Sequence, residues 1–210
     1  MIRFYFGSGS PFAWRVHLVL EEKALVYEPV LLSFQRGDLK TPEHLARSPH
    51  GKVPALSDGP CDLYESTAIV EYLEEQYPTP TLLPAAAAAR ARVRIEELEA
   101  VDYFATAFRA VAQLAFFTPP ERRDADALAR ARAALRTELE RLEARAVARG
   151  ERFIAGPSLT RADLTWLPFV EIGARAGVEL DATTPWLVDW RTRLRGRPSY
   201  ARSYPPHWHS

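Results

Sequence analysis

The chain is short of three things, and each shortage removes a class of protein. It holds one cysteine in 210 residues, so it can close no disulfide within itself and build no cysteine-based zinc cluster. It has no excess of either charge. Its 27 basic residues balance 27 acidic ones, which removes the electrostatic footprint of nucleic-acid binding and argues against a polybasic membrane contact. It lacks any run of about 18 apolar residues that could span a bilayer, and its opening MIRFYFGSGS has no basic n-region followed by a long apolar stretch. The expectation is a soluble protein of a reducing, cytoplasmic compartment, with neither nucleic acid nor membrane as partner. What is present is a globular composition, 47% hydrophobic and 26% charged, in a chain long enough for one large domain or two small ones.

Composition changes near residue 80. Residues 1–80 hold all three lysines but five of the 32 alanines, and carry 7 basic against 11 acidic side chains; the remainder carries 20 against 16 and is rich in Ala, Arg, Glu and Leu, as helical bundles are. Between the two lies Tyr77-Pro78-Thr79-Pro80-Thr81-Leu82-Leu83-Pro84, whose prolines lack amide donors and disfavour helix in the residues before them. This predicts a first domain over 1–77, a linker over 78–85 and a second domain over 86–210. In the first, β-rich runs at 2–6, 25–32 and 53–56, with a return at 61–64, alternate with helical periods at 11–22, 41–46 and 66–77. The order βαβ then ββα describes a small α/β domain with a mixed sheet. The second shows only helical periods, at about 86–117, 124–149, 161–176 and 184–195.

Three segments of the first domain could carry chemistry. Gly7-Ser8-Gly9-Ser10-Pro11 joins a strand to a helix, with Ser10 at the N-cap and Pro11 at N1; this is how many helices begin. A helix N-terminus also presents unpaired amides and partial positive charge, so the Ser10 hydroxyl can share an anion such as a thiolate with the backbone. Val53-Pro54 opens the third strand. It reads as an ordinary loop-to-strand junction or, if the bond is cis, as a place where the Val53 backbone faces a ligand. Glu65-Ser66 stands at a second strand-to-helix junction. Either Ser66 merely caps the helix, or the helix end binds a ligand carboxylate while Glu65 accepts from an ammonium, which together would recognise the zwitterionic end of an amino acid.

Taken in order, these segments resemble the glutathione transferase family over nearly the whole chain. The likeness rests on LYESTAIVEYLEEQYP closing the first domain, a proline-containing linker, SLTRADLTWLP in the second domain, and the twelve-residue step from Val53 to Glu65. It implies a thioredoxin-like first domain, an all-helical second domain, glutathione as co-substrate with no metal, and a homodimer acting in detoxification. Residue by residue, it implies that Ser10 contacts the glutathione sulfur, that Val53 pairs with the cysteinyl backbone and precedes a cis Pro54, and that Glu65 and Ser66 hold the γ-glutamyl end. Lys52, with His50 as the weaker candidate, would reach the glycyl carboxylate. The chain is similar to the serine-type classes, with zeta-like and tau-like features. Ala13-Trp14-Arg15-Val16 is zeta-like, but the Ser-Ser-Cys run usual in that class is replaced by Gly9-Ser10-Pro11.

Other residues compete with these. Tyr5 and Ser8 rival Ser10 for the thiol. Cys61 follows a Gly-Pro turn and reads as a small structural residue. His17, His44, His207 and His209 show no metal spacing and read as surface or packing residues. Thr160 and Asp163 have capping-box spacing. Among the aromatic residues, Phe12, Tyr103 and Phe108 are candidates to line a pocket for an apolar electrophile against the helical domain. The reading is a glutathione transferase that conjugates the thiolate to such an electrophile. The alternatives are a non-catalytic ligand-binding or interaction protein of the same fold, and a glutathione-dependent isomerase or dehalogenase.

Overall fold

The computed structural model describes residues Met1 to Trp208. Two compact units emerge: Met1–Leu82 together with the stretch from Arg197 onward, and Leu83–Gly196.

The first unit is built on a four-stranded sheet ordered β2-β1-β3-β4, with β1 over Ile2–Phe6, β2 over Tyr27–Leu31, β3 over Ala55–Asp58 and β4 over Cys61–Tyr64. β1 runs parallel to β2 and antiparallel to β3, which pairs antiparallel with β4, as a thioredoxin-like mixed sheet requires. The hairpin between β3 and β4 closes in two residues, Asp58 opposite Cys61, and Gly59 takes the positive φ such a turn needs. Helices α1 (Pro11–Glu22), α2 (Pro42–Arg47) and α3 (Ser66–Gln76) complete the fold. β2 starts two residues later than its apolar pattern suggests. The end of α1 consumes Ala24 and Leu25: Ala24 turns left-handed at φ 51°, and the Leu25 amide donates back to the Leu20 carbonyl.

The second unit contains α4 (Ala87–Leu98), α5 (Ala105–Ala115), α6 (Ala125–Arg149), α7 (Arg161–Arg175) and α8 (Pro185–Arg195). The single helical period at 86–117 is in fact two helices joined by a π-helical segment, Glu99–Phe104, which advances the register and buries Ala100 and Phe104 while leaving Tyr103 outside. Glu96 is fully buried and is held by Arg145 at 3.1 Å and Arg149 at 2.5 Å.

Thr160 and Asp163 form the capping box expected at the start of α7, and Asp163 does more than cap. Its carboxylate accepts from the Thr160 amide, the Ile154 amide and the Trp190 indole N–H, each at 2.9 Å, and from the Thr160 hydroxyl at 3.1 Å. Burial pushes its pKa up, against the pull of those donors.

The stretch from Arg197 departs from the expected division, which placed 86–210 in one helical domain. A ninth helix, α9 (Pro198–Ser203), packs on α1 instead. Charge and aromatic chemistry explain why. Arg197 grips Glu22 through two nitrogens at 2.6 and 2.7 Å, Arg202 pairs with Glu21, and the Trp14 indole donates to Ser203 at 2.9 Å. The Trp14 ring then meets Tyr204 and Trp208 edge-on. His17 lies under the same face, bonded to the Tyr27 hydroxyl at 2.6 Å, and burial drives its pKa down to about 4. His44 is also buried, at 2% exposure, whereas His209 lies outside the described residues.

Two predictions come from these contacts. Asp163→Ala strands two amides and an indole N–H in the interior, so it should lower stability by about 3 kcal/mol or more, read as a shifted denaturant midpoint; a loss under about 1 kcal/mol would show that solvent replaces the carboxylate. The unfolded chain protonates His17 below its ordinary 6.5, while the folded one refuses that proton down to about 4. Stability should therefore fall as pH drops through that window, by up to about 1.4 kcal/mol per unit from this residue. Denaturation at stepped pH should show a shallower slope for His17→Gln, and an unchanged slope would mean that another group carries it.

Candidate active site

Sheet register decides which loops share one end of the first unit. Tyr5 pairs with Ala55, and Ala55 pairs with Tyr64, so the end of β1, the start of β3 and the end of β4 lie in one row. Gly7–Ser10 lies just after β1, Val53–Pro54 just before β3 and Glu65–Ser66 just after β4. Segments far apart in sequence thus emerge together.

Ser10 caps α1. Its Oγ accepts from the Ala13 amide at 3.3 Å, and its amide donates to the Gly7 carbonyl at 3.1 Å. An accepting Oγ keeps its own proton for an outside acceptor, and Ser10 lines a cavity of about 310 Å³ whose walls include Phe6, Trp14, His17 and Tyr204. Gly9 holds φ 84°, and a Cβ there would stand 3.0 Å from the His207 ring. The C-terminal stretch therefore lies on this loop, where His207 Nδ1 is 2.5 Å from Ser8 Oγ. The rival Tyr5 is 6% exposed, with the Arg47 guanidinium 4.6 Å above its ring, so its packing leaves it poorly placed to meet a thiol.

Val53 and Pro54 precede the β ladder, which begins at Ala55, and the bond between them is cis. Both are buried, while Lys52 and His50 project from the surface beside them; His44 Nε2 lies 3.0 Å from the Lys52 carbonyl and fixes that turn. Glu65 is exposed and occupies φ 66°, a left-handed conformation that costs a residue bearing a Cβ on the order of 1–3 kcal/mol. Ser66 does not cap α3, since it is already the first helical residue. Its hydroxyl instead receives Arg15 Nη1 at 3.3 Å, and the Thr67 hydroxyl receives the same nitrogen at 3.1 Å.

The electrophile candidates fall in different units. Phe12 is half-buried in the first; Phe108, 7% exposed, packs with Phe116 in the second, and Tyr103 is 61% exposed there. Among the described residues, no cluster of three or more His, Cys, Asp or Glu side chains is placed to hold a metal ion, and no helix is long and apolar enough to cross a membrane. Sequence reasoning has no role for Arg15 beyond its class likeness and reads His207 as a surface or packing residue. A signal for Arg15 was available: it stands on a helix between Trp14 and Val16 with Leu18 and Val19 one turn on, a position where a guanidinium must be buried.

Known proteins resemble this chain along most of its length. Residues 4–81 match the description "Glutathione S-transferase, N-terminal domain", and residues 105–198 match "Glutathione S-transferase, C-terminal domain". The chain belongs to the glutathione S-transferase family. This glutathione S-transferase family member is 34% identical over 205 residues to glutathione S-transferase A of Pleuronectes platessa, covering 96% of this chain and 90% of that one. It is 29% identical over 211 residues to a maleylacetoacetate isomerase of Aspergillus fumigatus, covering 97% and 88%. The theta class glutathione S-transferase of Xanthomonas axonopodis pv. citri, solved with glutathione bound, superimposes with a TM-score of 0.87 at 30% identity, covering 96% of each chain.

The strained backbone of Glu65 yields a prediction that needs no ligand. Glu65→Ala keeps the positive φ and its cost, whereas Glu65→Gly relieves it, so the glycine variant should be about 1 kcal/mol more stable than the alanine variant. Parallel thermal denaturation of the two reads the difference. Equal midpoints would mean that the turn has relaxed to negative φ.

Proposed function

We propose that the protein is a serine-type glutathione transferase that conjugates the glutathione thiolate to an apolar electrophile. The observation that carries the proposal is Ser10, at the tip of α1 on a cavity wall, with Oγ already accepting from Ala13 and its own proton left to donate. A donor in that position, reinforced by the positive end of the helix, stabilises a thiolate more than a thiol and so lowers the thiol's pKa. The thiol proton leaves to solvent. The sulfur lone pair then forms a bond to an electrophilic carbon, which either expels its leaving group or passes an electron pair to an adjacent acceptor.

In this reading Val53, ahead of the ladder, pairs its backbone with the cysteinyl unit. Glu65 and Ser66 receive the γ-glutamyl ammonium and carboxylate, and Lys52 or His50 reaches the glycyl carboxylate. Phe12, Tyr103 and Phe108 are the candidates to contact the electrophile. The relatives' glutathione chemistry supports this reading, and a homodimer in the cytoplasm accords with the family. A glutathione-dependent isomerase is the second reading, favoured by the isomerase relative that matches along 97% of the chain.

Turnover with glutathione across chloroarene, epoxide, peroxide and maleyl substrates tests both. Ser10→Ala should lower kcat by about 10- to 1,000-fold with little change in KM for glutathione, and shift the pH-rate profile upward. Wild-type turnover in that variant would remove Ser10 as the activating group. Activity confined to the maleyl substrate would favour the isomerase, and binding without any turnover would favour a non-catalytic protein.

A further inference from the structure

Arg15 is the one cation of α1, and it is wholly buried, at 0% exposure. Removing a guanidinium from water costs several kcal/mol unless its surroundings answer it. Part of the answer is unusual: Nη1 is directed at two hydroxyls, Ser66 and Thr67, which are the first two residues of α3. Arg15 thus stands behind the end of the helix whose front, in the reading above, receives a ligand carboxylate.

We infer that Arg15 is a positioning residue for carboxylate recognition, setting the Ser66 and Thr67 hydroxyls to donate outward to the α-carboxylate of a γ-glutamyl ligand. A guanidinium has only donors. When Nη1 fills a lone pair on Ser66 Oγ, the hydroxyl proton must turn to a different acceptor, and the same holds for Thr67. Both hydroxyls become oriented donors before any ligand arrives. Arg15 touches no ligand itself; it acts through Ser66 and Thr67. The inference rests on the proposed glutathione site and specifies which part of the ligand that site reads there.

The test uses the full chain and two ligands in calorimetric titration: glutathione, and 4-aminobutanoyl-cysteinylglycine, which lacks only the α-carboxylate. Arg15→Met should weaken glutathione by about 10- to 100-fold, the range for a charge-assisted hydrogen bond, while changing affinity for the truncated ligand less than about 3-fold. With glutathione saturating, kcat should stay within about 3-fold of the parent, so the loss falls on KM. Arg15→Lys keeps the charge without the planar fork and should lie between the two. It also carries the test if the methionine variant does not fold, because the ratio of the two affinities is read on whichever variant is native by circular dichroism. Equal losses for both ligands, or no loss for either, overturn the inference and leave Arg15 a packing residue. Parent protein that is folded but binds neither ligand overturns the glutathione reading instead. Parent protein that binds both equally retains glutathione binding and removes carboxylate recognition at α3.

Discussion

Helix α1 must leave its Ser10 cap open to the cavity while most of the helix is buried, and much of the first unit follows from that constraint. An open first turn needs a cap that does not exhaust its own hydrogen-bonding capacity, and a serine followed by proline meets the need. Ser10 accepts from Ala13 and retains a proton, and Pro11 occupies a position with no amide to satisfy. The rest of the helix carries three charged groups, one buried and two partly so, that would be costly alone. Each is answered by a different partner: Arg15 by the hydroxyls of α3, Glu21 by Arg202 and Tyr27, and Glu22 by Arg197 and Ser199. The helix is therefore fixed on two sides by polar contacts, and its tip is aimed by them.

A sheet with three strand ends in register turns that aim into a site. The Tyr5, Ala55 and Tyr64 row sets the loops after β1, before β3 and after β4 beside one another. Local backbone geometry then differs at each: a glycine at positive φ before Ser10, a cis bond before Pro54, and a glutamate at positive φ before Ser66.

Much of this was legible in the sequence because it is local. Alternation gives β1, the 3.6-residue period gives α1, α3 and α6, and Ser10-Pro11 and Thr160 with Asp163 mark helix starts by their own chemistry. What was not legible depends on residues far apart in the chain. Nothing near Arg197 indicates that its carboxylate partner is Glu22, and nothing near Asp163 shows that Trp190 will donate to it. The π-helical Glu99–Phe104 reads as ordinary helix because its composition fits either register. Glu65 carries no mark of its positive φ, since glycine or asparagine is the usual signal and neither is present.

The docking of α9 on α1 has a consequence for synthesis. Synthesis runs from the N-terminal side, and at about 5–20 residues per second residues 1–82 are complete on the order of ten seconds before Arg197 appears. During that interval Trp14, Glu21 and Glu22 lack the partners that later cover them. The nascent first unit thus presents an aromatic and acidic face to the cell, which is withdrawn only when the last helix is made. A chain stalled within α8 would display that face for as long as it persisted, giving chaperones and proteases a way to tell an unfinished copy from a finished one.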